Sequence, residues 1–161
     1  MGGLMGNKGV EMSYFARLLF IAVMLMFPAL ALAGPAEDAN AAVERWSAAY
    51  NLNDPEAISR TYTPDALLLG TISPIMSEGR EAIVKYFTSS KGSGNKNALG
   101  ERRTIVVGED AVIVAGFYEF TIMRDGQAVA LPARFTMLVT RRDGEWRIAH
   151  HHSSPHVLPK Q

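Results

Sequence analysis

Cysteine is absent from all 161 residues. That removes disulfide cross-links, a thiolate nucleophile, Cys-ligated zinc and iron–sulfur clusters, so a folded domain must stand on its hydrophobic core. An excess of charge is missing too, because 16 Lys+Arg balance 16 Asp+Glu. Nucleic-acid binders gather Lys and Arg on one face, and this chain has no such footprint. No Gly-rich phosphate loop, Val-Ala-Ile-Lys strand, His-Arg-Asp or Asp-Phe-Gly occurs, which excludes a protein-kinase catalytic core. The length fits one domain.

What the chain has in quantity is apolar, 48% of it, and unevenly spread. Residues 18–33, LLFIAVMLMFPALALA, carry no charge, follow Lys8 and Arg17, and end in Ala31-Leu32-Ala33. A basic start, a short apolar stretch and small residues at an A-x-A site describe a secretory signal peptide. The run is shorter than the ~20 residues that span a bilayer. Residues 1–33 are therefore expected to be a signal peptide, with Met12 as the tidier start and a retained anchor as the alternative. The working domain is then 34–161, with one more acid than base. Its expected location is periplasmic or secreted, free of the membrane once the leader is cleaved.

Helices come first in that domain and strands follow. Ala39, Ala42, Val43, Trp46, Ala49 and Tyr50 recur at helical spacing, with Glu37 and Asp38 at the favourable end of the dipole. Asp54-Pro55 reads as an N-cap and first helical residue of a short second helix, which Thr63-Pro64-Asp65 stops. Residues 66–69 are a brief strand closed by Gly70, and 78–87 open a third helix with Ala82, Ile83, Tyr86 and Phe87 on one face. Residues 91–100, KGSGNKNALG, have no periodicity and read as a mobile loop. From Arg102 the period becomes two. Segments 104–107, 111–124, 127–140 and 145–153 form an antiparallel meander, with Asp125-Gly126 and Asp143-Gly144 as hairpin turns. Strand 111–123 is apolar on both alternations, so both its faces should be covered: one by the helices, the other most simply by a second subunit.

Three helices before a long antiparallel sheet is an α+β arrangement. Glu78-Gly79-Arg80-Glu81-Ala82-Ile83, then Arg141-Arg142-Asp143-Gly144-Glu145-Trp146-Arg147-Ile148 running into His150-His151-His152-Ser153-Ser154-Pro155, resemble the nuclear transport factor 2-like cone fold. Within it the chain is similar to the SnoaL-like and SgcJ/EcaC bacterial proteins. It is more closely similar to the association domain of calcium/calmodulin-dependent protein kinase II, from Trp46 to Pro159. The resemblance implies a cone-shaped curved sheet whose helices enclose a cavity, with the outer sheet face used in oligomerisation. In the kinase domain arginines line that cavity. They align here with Glu119, Met137 and Ser153, and none is retained.

Chemistry is then sought in polar residues on apolar strands. Every histidine lies between His150 and His156. By strict alternation His150 and His152 share a face with Trp146 and Ile148, and His151 takes the other with Ala149. His150 and His152 are therefore the candidate bases. They are two potential metal ligands without a clear third, with Glu119 and His156 as the alternatives for it, and no metal or cofactor is expected. Arg134, on the preceding strand, can lie near either histidine and hold it neutral. Glu119 interrupts Phe117, Phe120 and Met123, where a carboxylate must pair or stay protonated. The candidate ligand-binding set is Arg134, Glu119, His150, His152, Ser153 and Tyr118. Tyr62 and Tyr86 are further aromatics for the core or the cavity rim. Two functions remain open: an oligomeric binder of an unidentified small molecule, or a cofactor-free isomerase, cyclase or hydrolase using a histidine base. Convergence of Arg134, a histidine and Glu119 inside the cavity favours the enzyme, and their placement on the outer face favours assembly.

Overall fold

The computed structural model describes residues 34–157. The predicted signal peptide and its anchor alternative lie outside those residues. Helix α1 (Pro35–Asn51) starts on a proline, where no intrahelical N–H is needed, and buries the stripe from Ala39 to Tyr50 that its spacing predicted. Asn53, at φ 57°, turns the chain. The Asp54 carboxylate then accepts from the Glu56 N–H at 3.0 Å to start α2 (Pro55–Arg60). Helix α3 (Gly79–Phe87) buries Ile83 and Phe87. No helix among the described residues is long and apolar enough to cross a membrane.

Six strands make one curved, unclosed sheet: β1 (Tyr62–Leu69), β2 (Met76–Glu78), β3 (Lys96–Gly108), β4 (Ala111–Arg124), β5 (Gln127–Arg142) and β6 (Glu145–Pro155). Their order is β2-β1-β6-β5-β4-β3. β3 to β6 form the antiparallel meander expected from the Asp-Gly turns. β1 is longer than the expected 66–69 segment and pairs in parallel with β6. Its ladder skips between Tyr62 and Leu67, where Pro64 has no N–H to donate.

Residues 96–100 belong to strand β3, which corrects the loop expected across 91–100. Asn51 is the reason: its Nδ2 donates to Asn97 O at 3.0 Å and its Oδ1 accepts from Asn97 N at 2.7 Å. Ser47 Oγ adds a 2.7 Å bond to Asn97 Oδ1. A strand recruited by polar side chains of a distant helix leaves no trace in hydrophobic periodicity.

The core joins Val43 and Trp46 of α1, Ile58 of α2 and Ile83 of α3 to Val112, Val114, Met137, Val139 and Ile148 on the inner sheet face. The other alternation of the sheet stays open, with Phe117 43% and Ile105 64% exposed. Strand β4 is thus apolar on both sides, as its sequence indicated, and the helices cover one of them.

A register shift between Leu99 and Arg102 lays β3 backbone over Gly116, where a Cβ would stand 2.4 Å from Glu101 O. Gly116→Ala is expected to cost about 1–3 kcal/mol of stability in urea unfolding, the usual penalty of forced overpacking.

Candidate functional site

Between Leu138 and Val139 the β5–β6 register shifts: Val139 pairs with Ile148 and Leu138 with His150, leaving Ala149 as an extra residue. Side chains alternate with a period of two, so one unpaired residue inverts every assignment beyond it. Trp146 and Ile148 are buried, and beyond the bulge it is His151 and Ser153 that turn inward, at 2% and 5% exposure. His150 and His152, expected beside Trp146 and Ile148, stand on the outer face instead, opposite Leu138 and Thr136. The bulge is the whole reason for that correction.

His151 sits at the closed end of a cavity of about 340 Å³ between the helices and the inner sheet face. Trp46, Tyr50, Phe87 and Phe120 supply its aromatic walls, and Leu68, Ile122 and Leu131 its aliphatic ones. Ile72, 72% exposed, and Met123, 42% exposed, stand at its mouth. Asn53 Nδ2 holds the neighbouring Asn95 by its carbonyl at 2.8 Å. The volume falls within the ~300–1,000 Å³ range of small-molecule sites. Among the described residues, no Asp, Glu, Lys or Arg lines the cavity.

The polar end is a hydrogen-bonded chain. Tyr62 Oη lies 2.8 Å from His151 Nδ1, and Tyr118 Oη 3.3 Å from Nε2. The Tyr118 hydroxyl donates to Ser153 Oγ at 2.5 Å, and Ser153 Oγ meets Thr71 Oγ1 at 2.5 Å. Burial pushes the His151 pKa down from 6.5 to about 3, helped by the neighbouring imidazoles of His150 and His152. His151 is thus neutral across the physiological range. Burial raises Tyr62 well above 10 and raises Tyr118 and Tyr86 as well, so these phenols keep their protons.

Of the six expected ligand-binding residues, Tyr118 and Ser153 share the cavity. Arg134 lies on the outer face opposite Phe117 and Ser154, with its Nε 3.0 Å from Ser154 Oγ. Glu119 is exposed on the outer face opposite Pro132 and Ala98. It therefore needs no buried partner. Tyr86 lines the cavity, and Tyr62 is fully buried behind His151. His156 lies against Phe117, ring centroids 4.7 Å apart. Among the described residues no three His, Asp or Glu side chains group to hold a metal. His151 and Thr71 were missed. A bulge hid the first, and the second follows a strand end with no more signal than its neighbour Gly70.

With this cavity in place, the comparisons with known proteins decide the family. Residues 39–158 match the model of the SnoaL-like domain. The chain belongs to that family. It is 32% identical to a protein of Xanthomonas campestris assigned as a calcium/calmodulin-dependent protein kinase II association domain, over 80% of this chain and 93% of that one, with a TM-score of 0.72. A ketosteroid isomerase-like protein of Erwinia carotovora atroseptica shares the fold at 21% identity, over 75% and 95% of the two chains, with a TM-score of 0.66. So does a protein of Streptomyces avermitilis assigned as a dehydratase of the NTF2-like family, at 17% identity over 76% and 96%, TM-score 0.67. No curated protein matches. In the SnoaL-like frame, the position where the resemblance expected a cavity arginine is occupied by Ser153, which does line the cavity, while Met137 is buried in the core.

A histidine whose folded pKa lies below its unfolded value lets the unfolded state bind the proton first, so stability falls as pH drops from 6.5 towards 3. Between pH 7 and pH 4 His151 is expected to contribute a loss of about 3 kcal/mol. Urea unfolding at the two pH values checks this. His151→Gln, less stable at pH 7, should lose about 3 kcal/mol less than the parent on acidification.

Proposed function

We propose that this SnoaL-like protein is an exported homo-oligomer that binds a small uncharged molecule in its inner cavity. The observation that carries the reading is the lining: aromatic and aliphatic walls, uncharged polar groups around His151 and along Ser89, Ser90, Ser93 and Asn95, and no Asp, Glu, Lys or Arg among the described residues. An ionic ligand would lose its hydration there without an opposite charge to replace it. The leader pattern of residues 1–33 supports export.

The outer face supports assembly. Phe117 and Ile105 leave it apolar, and a groove of about 540 Å³ runs between Arg103, Phe117, Arg134 and His152. Arg134 and Glu119 stand exposed on it without an ion-pair partner among the described residues. A second copy related by a two-fold axis can offer its Glu119 to Arg134 and cover Phe117 in the same step.

A cofactor-free isomerase, cyclase or hydrolase is the second reading, favoured by the isomerase-like and dehydratase proteins that share the fold. Proton transfer would fall to His151, the histidine inside the cavity. Held at a pKa of about 3 it is a weak base at neutral pH. Binding is therefore the stronger conclusion.

Native mass spectrometry of the protein purified from the organism that makes it tests both parts. The expected spectrum is a dimer or larger ring, starting after the leader, with a neutral ligand of a few hundred daltons on each subunit. Arg134→Glu should give monomers that keep the ligand, and adding Glu119→Arg should restore the oligomer. An empty monomer that starts at Met1 sinks the proposal.

A further inference from the structure

The bulge that turns His151 inward leaves His150 and His152 in the middle of the open sheet face. Residues paired across a ladder point to the same side, so the register lays that face out in rows. His150 lies between Leu67 of β1 and Leu138 of β5, and Ile113 and Ile105 continue its row. His152 lies between Leu69 and Thr136, and Met76 continues its row at the β2 edge. Leu69, Met76 and Ile105 are exposed. The two imidazoles are thus the polar centre of a largely aliphatic field, and a second copy laid over that field takes both from water.

Little on this face can hold a charged imidazole. Neither ring has a carboxylate at a neighbouring ladder position. Glu78 of β2 ends the His150 row, two strands away and beyond Leu67. Two strands span about 10 Å, roughly a Debye length in ordinary buffer, so its exposed charge is largely screened. Glu101 is taken by Arg103 at 2.7 Å, Asp65 by Arg142 at 2.9 Å, and Glu145 by Arg147. On β4, Glu119 lies two rows beyond His152, past Phe117, on whose ring His156 packs. Arg134, in the row next to His152, adds a repelling cation. Partial burial, and then the imidazole of His152, already hold the His150 pKa below the usual histidine range.

We infer that assembly through this face is acid-sensitive: copies associate while His150 and His152 are neutral and separate when these imidazoles take up protons. The inference rests on the reading of this face as the contact between copies and adds its regulation. In the contact the rings exchange water for aliphatic side chains, which favours their neutral form. The free subunit therefore binds protons at a higher pH than the assembly. Association is full above the ordinary histidine range and is lost as pH falls through it. A two-fold axis doubles the effect, since each copy brings both histidines.

Sedimentation of the full mature protein at pH 7.5 and pH 5.5 gives the dissociation constant at each pH. EDTA in the buffer removes bridging metal ions, and circular dichroism follows folding. An imidazole of ordinary pKa, about 6.5, that must be neutral in the contact weakens it about 10-fold at pH 5.5. The constant is expected to rise at least roughly 10-fold, and near 100-fold where one imidazole of each copy is fully excluded in its charged form. With His150→Gln and His152→Gln together the rise should shrink below about 3-fold, the remainder reading His156 and the carboxylates. Dilution calorimetry of the parent at pH 6.5, in two buffers of different ionisation heat, should show protons taken up as copies separate. Where the double variant does not assemble, that proton uptake decides alone. A constant that is equal at both pH values or falls in acid, a rise that survives the double substitution, or an absence of proton uptake overturns the inference and leaves the assembly reading intact. A parent that stays monomeric at pH 7.5 at every concentration overturns both.

Discussion

Strand β6 carries one more residue than β5 can pair, and Ala149 stands outside the ladder between Ile148 and His150. The strand can therefore put Trp146 and Ile148 into the core and still aim His151 and Ser153 to the same side further on. The parallel partner completes the arrangement. Leu68 of β1 pairs with His151 and Leu69 with His152, so the chain leaving β1 brings Thr71 to Ser153 two residues later. Tyr62 at the start of the same strand reaches Nδ1 from behind. The polar end of the cavity is thus built by two parallel strands far apart in sequence, held in a register that the bulge sets.

Burying an imidazole is costly unless both nitrogens are partnered. Tyr62 and Tyr118 answer that need with neutral groups, and burial keeps all three neutral. A carboxylate at the same spot would have charged the histidine and changed the chemistry of the cavity. The charges are kept on the other side of the sheet, where Arg103, Arg134 and Glu119 lie. One sheet therefore presents an uncharged inner face that suits a small molecule and a mixed outer face that suits another protein surface.

The stripe on α1, the Asp54-Pro55 start of α2, the Asp-Gly hairpins and the double apolarity of β4 were legible because each depends on neighbours within one turn or one strand. Tyr118 and Ser153 were legible as site residues for a related reason: one lies on the buried alternation of β4, the other at a position the SnoaL-like resemblance marked. His150 and His152 were misplaced by trusting an unbroken alternation, whereas Arg134 and Glu119 sit on an unbroken ladder whose outward face was left open until the helices were placed. Residues 96–100 were mistaken for loop because Asn51 and Ser47, about 46–50 positions earlier, recruit them.

By itself the sequence determined the class of the molecule: α+β, uncharged overall, without thiol chemistry, with a sheet wanting cover on both faces. These follow from composition and local periodicity, which do not depend on distant contacts. Which histidine enters the cavity and which hydroxyls meet it were decided by tertiary structure alone. A one-residue bulge and a parallel pairing across more than 80 positions carry no local signature, yet they set the face and partner of every side chain that follows.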